Sequence, residues 1–145
     1  MTTTDQFAEV LRAEADLADA LLGALNDEQQ AILRLRNGDL LAAVERQQRL
    51  LLPMEGLERE RIKLCRTMGS EGKEVESLSG IAAHMPPEEA APLLRSGQRL
   101  RAKAETILAV SGQNRMLLEN SLRFVKHTLR LVTEDYSRKL VDTTM

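Results

Sequence analysis

The chain has 145 residues, 43% of them apolar, which suits one ordinary globular unit, but only Phe7, Phe124 and Tyr136 are aromatic, so any core must be aliphatic. A lone Cys65 excludes an internal disulfide, and no apolar run approaches the roughly 20 residues of a membrane-spanning helix. The formal charge of −2 conceals a split: residues 1–38 carry seven acids and three bases, residues 39–87 eight and seven, and residues 88–145 seven and ten.

Attraction between an acidic first segment and a basic last one is the simplest reading of that split. Single-stranded nucleic acid would require aromatic platforms among the bases, and Phe124 is the only ring near them, so no nucleic-acid partner is expected. No basic start followed by an apolar run is present, so neither a signal peptide nor membrane insertion is predicted. A reducing cytosol is compatible with the single cysteine. Leu, Ala, Glu, Arg and Gln dominate, and runs of β-branched residues at strand spacing are missing, so the expected fold class is all-α.

A first helix is predicted over about residues 4–36. Thr3-Thr4-Asp5-Gln6 offers a threonine cap and an acid at the positive end of the helix dipole, and Asn37-Gly38 reads as the stop. Leu11, Ala18, Leu25 and Ile32 recur every seven residues and draw one apolar stripe. Asp39 reads as the cap of a second helix over 39–68, and the short connection favours an antiparallel hairpin. Leu50, Leu51, Met54, Leu57, Leu64 and Met68 continue its stripe. Pro53, which lacks an amide donor, predicts a kink or break. In Ile62-Lys63-Leu64-Cys65 the cysteine reads as a small packed hydrophobe.

Residues 69–87 hold Gly69, Gly72, Gly80 and Pro86-Pro87 and read as an irregular connector with a short helix near 75–84. A third helix is predicted over 88–138. Leu93, Gly97, Leu100, Ala104, Ile107, Ser111, Asn114, Leu118, Ser121, Val125, Thr128 and Val132 alternate four and three apart along it, the spacing of a bundle or coiled coil. Within that seam Asn114 either sets register and partner choice or merely bonds to a neighbouring carbonyl.

At 1.5 Å per residue the three helices would measure roughly 50, 45 and 75 Å. Running beside the second helix, the third would exhaust its cover near Leu118 and project past the Asn37-Gly38 turn. Leu122, Val125, Leu129, Val132, Tyr136 and Leu140 would then stand without intramolecular cover, and an apolar stripe of that size marks an association surface. With Leu118 they form the candidate partner-binding set. The alternatives are a break at Ser111-Gly112 that folds the stripe inward, or a homodimer through the same surface.

A catalytic centre is not expected. Neither His84 nor His127 follows a Glu by three residues as a di-iron bundle requires, and one cysteine with two distant histidines makes no zinc set, so no cofactor or metal is predicted. No phosphate-binding glycine loop occurs. Cys65 and His127 alone would lack the orienting group and oxyanion site of a nucleophilic centre. Carboxylates interleaved with arginines, as in Glu58-Arg59-Glu60-Arg61, read as a solvated helix face.

The order of these elements resembles the FlgN family of flagellar export chaperones. The resemblance rests on an acidic first helix ending at Gly38-Asp39, the leucine pair Leu50-Leu51, and a basic stretch closing in Met68-Gly69. After the connector come Asn114, Leu117-Leu118, Leu122, Val125 and Leu129, then Tyr136. Where the family shows an Asn-x-x-Asn step, Ser111 takes the first place, and the tail after Tyr136 lacks the family's glycine. The resemblance implies a cytosolic protein whose C-terminal helix binds hook-associated proteins of the hook–filament junction. It also implies docking to the export gate or export ATPase complex, with Tyr136 as the contact. The alternative is a homodimeric coiled-coil adaptor or regulatory bundle without a client.

Overall fold

A computed structural model describes residues 2–68 and 78–144, the side chains of 142–144 excepted, and its regular elements are four helices: α1 (Thr3–Leu33), α2 (Asn37–Met68), α3 (Leu78–Ala82) and α4 (Pro87–Thr144). No strand occurs among the described residues, as the all-α reading expects.

The cap of α1 lies one residue earlier than Thr3. The Thr2 hydroxyl accepts from the Asp5 amide at 3.1 Å, and the Asp5 carboxylate accepts from the Thr2 amide at 3.1 Å, closing a capping box. Hydrogen bonding from Thr2, side chain first and backbone next, holds the Asp5 carboxyl below its ordinary value.

Nor does α1 end at Asn37-Gly38. Arg34 caps it, Leu35 takes a left-handed conformation with φ 55°, and the Leu35 and Arg36 amides donate back to the Ile32 and Ala31 carbonyls at 3.3 and 2.9 Å. This is the usual terminating motif with leucine where glycine is preferred. Asn37, Gly38 and Asp39 instead form the first turn of α2, where Asp39 favours the helix dipole and pairs with Arg36 at 3.8 Å. Asp39 is therefore inside α2 rather than its cap.

Pro53 does not break α2. It stands on the exposed face, where a carbonyl deprived of its donor need not be buried unpaired. The connector helix is shorter than predicted, at Leu78–Ala82, and the expected residues 75–77 lie outside the described part. α4 begins with Pro87 in its first turn, a position that needs no amide donor. It runs unbroken through Pro92 and through Ser111-Gly112, so the fold-back alternative does not hold, and it extends beyond the predicted 88–138.

α1 and α2 are antiparallel. Arg61 donates to Glu14 at 2.8 Å near one end, while Arg46 and Gln47 reach Asp27 and Glu28 near the other. α4 runs parallel to α1 in constant register, Lys103 on Asp19 at 2.5 Å and Gln113 with Gln29 at 3.2 Å, each pair 84 residues apart. The expectation that this last helix lies beside α2 is thus corrected. No Cα of α2 comes within 8 Å of one in α4, and α1 is the helix both share. Burial agrees: α1 buries Phe7, Val10, Leu11, Ala18, Ala24, Leu25, Ala31 and Ile32, whereas α2 buries only Ala43 and Cys65.

The reason lies at the start of α4. Phe7, Leu11, Cys65, Ile81 and Leu93 form a buried cluster, with Leu64, Leu78 and Leu100 packed against it. α3 crosses onto α4 at Gly97, where any Cβ would collide with Leu78 Cδ2. Cys65 is 2% exposed and acts as the expected packed hydrophobe; burial pushes its thiol pKa up, with the Arg61 charge opposing.

Burial also raises the Glu14 pKa, more than the Arg61 guanidinium lowers it. The fold therefore favours protonated Glu14, an advantage present below the ordinary carboxylate value and lost as pH rises through the raised one. Replacing Arg61 with Met should cost about 1–2 kcal/mol at pH 7, and denaturant titration should show the deficit shrinking as pH falls through the Glu14 transition. At the turn, Leu35→Gly should raise stability by about 1 kcal/mol, because Leu35 is exposed and loses little packing.

Candidate functional site

The seam of α4 changes environment part-way along. Leu93 is buried, Leu100 and Ile107 half-buried, and Asn114 buried against α1. In the α1–α4 register, the end of α1 at Leu33 is level with Leu117 of α4. Leu118 is accordingly half-buried, and the remainder of α4 to Thr144 extends roughly 40 Å past the bundle.

On that projection Leu122, Val125, Leu129, Val132, Tyr136 and Leu140 are between 49% and 63% exposed. At about 100° per residue these six and Leu118 fall within a band about 80° wide, the same band that holds Leu93, Leu100, Ile107 and Asn114 inside the bundle. One continuous apolar seam thus packs on α1 for its first half and meets solvent for its second. Exposed Phe124 and Leu131 lie beyond one edge of it, about 80° and 100° outside the band.

Arg115, Arg123, Lys126 and Arg130 line the opposite edge, and none of the four forms an ion pair among the described residues. Residues 115–141 hold six bases against three acids. The basic surplus of the last segment is spread along α4, five bases against three acids over residues 88–117 and five against four over 118–145, and Lys103 with Asp19 is the one ion pair between α1 and α4 among the described residues. The charge split has a different cause from the attraction expected of it: α1's acids are met mainly by Arg46 and Arg61 of α2.

Asn114 is 1% exposed, the last buried seam residue before the projection. Its Nδ2 donates to the Leu25 carbonyl at 2.9 Å, and its Oδ1 has no partner. That amide is half satisfied, and its one bond goes to a backbone carbonyl of α1 at the level of Leu25.

Sequence reasoning missed a second feature. Because α2 and α4 flank α1 without meeting, a groove of about 370 Å³ opens between them, walled by Leu51, Met54, Glu55 and Glu58 of α2 and by Leu100, Ala104 and Ile107 of α4. A second hollow, of about 460 Å³, continues it toward Cys65 and Leu78. The available signal was the small residue Ala104 in the α4 seam, between Leu100 and Ile107, since the space at Gly97 is taken by Leu78.

The family profile described as FlgN protein matches residues 1–140. The chain belongs to the FlgN family. Comparison with curated proteins finds no match, and neither does comparison with solved structures. Membership places this FlgN-family chain among flagellar export chaperones, which bind flagellar proteins and are not enzymes. No described helix is long and apolar enough to cross a membrane, and no described His, Cys, Asp and Glu side chains gather as a metal site. Cys65 sits in the core level with the start of α4 while His127 lies on the projection, roughly 50 Å further along, so the two do not meet.

Replacing Asn114 with Leu should remove the orphaned oxygen and raise Tm, by about 1 kcal/mol of stability. It should also let α4 slide on α1, which paired spin labels on the two helices would read as a broadened distance distribution.

Proposed function

We propose that this chain is a cytosolic export chaperone that captures a hook-associated protein by laying the client's amphipathic terminal helix along the projecting half of α4. The observation that carries the reading is the uncovered seam from Leu122 to Leu140, on a helix that outlasts its bundle. Leu118 begins the contact at the bundle's edge. Helix-on-helix docking would bury this stripe and the client's own assembly face together, so captured client would not polymerise before export. The unpaired bases along one edge would select a client helix with acids beside its apolar face, since like charges there would repel.

Tyr136 stands near the end of the same seam, 63% exposed, and is the residue proposed to dock on the export gate or export ATPase complex. An apolar ring with a polar hydroxyl suits a contact that must form and release. Asn114 serves this function indirectly: by holding α4 at one setting it sets how much seam projects.

Packing on α1 ends near Leu118, so removal of the chain after Lys126 should leave the helical bundle folded, with a stability change within about 0.5 kcal/mol. That truncated form should not bind purified hook-associated proteins in calorimetry. In the full chain, Leu129→Glu should weaken binding by about 2 kcal/mol, roughly thirtyfold, with helix content unchanged. Retained affinity in the truncated form would place the client site elsewhere.

A further inference from the structure

Three helices in which the middle one touches both others, while the outer two stay apart, form a four-helix bundle lacking one member. The vacancy is the apolar groove between α2 and α4. We propose that its occupant is the projecting half of α4 from a second copy of this chain, exchanged reciprocally so that each copy completes the other's bundle.

Size and charge both support that choice. The seam from Leu122 to Tyr136 rises about 21 Å and the groove wall from Leu94 to Ile107 about 20 Å, so one matches the other in length. Glu55 and Glu58 stand one turn apart on the groove's rim, exposed and without ion-pair partners among the described residues, whereas the deeper Arg61 is neutralised by Glu14. On the opposite rim Arg101 and Glu105 neutralise each other. The groove is therefore net acidic. Lys126 and Arg130 stand one turn apart on the basic edge of the seam that would enter it. With the two α4 helices antiparallel about a twofold axis near Arg115, both exchanges close at once and no open end remains to propagate a fibre.

The pairing itself does not require a client. Its consequence does, and rests on the capture reading above: each copy shields the other's seam, and a client helix must displace it.

Light scattering and equilibrium sedimentation of the full chain alone, over a concentration series, test the pairing separately from any client measurement. The expected result is a dimer that dissociates on dilution. Glu55→Lys with Glu58→Lys, or Lys126→Glu with Arg130→Glu, should weaken it by about tenfold or more, because like charges would then face each other. Mixing these two double variants, or combining all four substitutions in one chain, should restore the original dimer. All four sites are exposed, and circular dichroism verifies that each variant keeps its helices. A chain monomeric at every concentration, as it would be if the groove served the client instead, would overturn the proposal. So would a dimer indifferent to Glu55 and Glu58, as two seams packed on each other would give.

Discussion

The buried cluster of Phe7, Leu11, Cys65, Ile81 and Leu93 anchors the start of α4 level with the start of α1, and the rest of the molecule follows from that anchorage. Two helices that begin together, run the same way and differ in length must part at one end. α1 has 31 residues and α4 has 58, so the whole excess is delivered beyond the α1–α2 turn. Packing of Leu78 against Gly97 ties α3 into the same junction. The hydrogen bond from Asn114 to Leu25 then marks the last level at which α4 is held from inside.

Electrostatics follows the same division. Asp27, Glu14 and Asp19 of α1 are answered by Arg46, Arg61 and Lys103, which lie on both of its neighbours. Arg115 at the bundle's edge and Arg123, Lys126 and Arg130 on the projection form no ion pair among the described residues, beside an apolar seam facing solvent. A helix that is apolar on one face, basic along one edge and uncovered is the surface on which we propose that another helix lies. For a FlgN-family chain this joins family and geometry at one element.

Much of this was legible in the chain itself. The four-and-three alternation from Leu93 to Val132 reports a seam whether or not anything covers it, because it depends only on the turn of the helix. Cys65, flanked by Ile62 and Leu64, reads as buried for the same reason. The turn was less legible: Asn37-Gly38 carries the strongest local stop signal, yet Leu35 accepts the left-handed conformation so that Asn37 and Asp39 can open α2. Pro53 likewise signals a break that an exposed helix face absorbs.

Periodicity and helix length together determined that a stretch of seam would outlast its bundle, since both are local properties of each segment. Which helix α4 lies against, and hence the empty groove between α2 and α4, was decided only by tertiary structure. A stripe on a helix records that a neighbour is needed but not which one, and α1 could become the shared neighbour only when α3 carried the chain across its end. The resting place of the basic surplus was decided in the same step, because charge along a sequence acquires partners only when the helices have been set side by side.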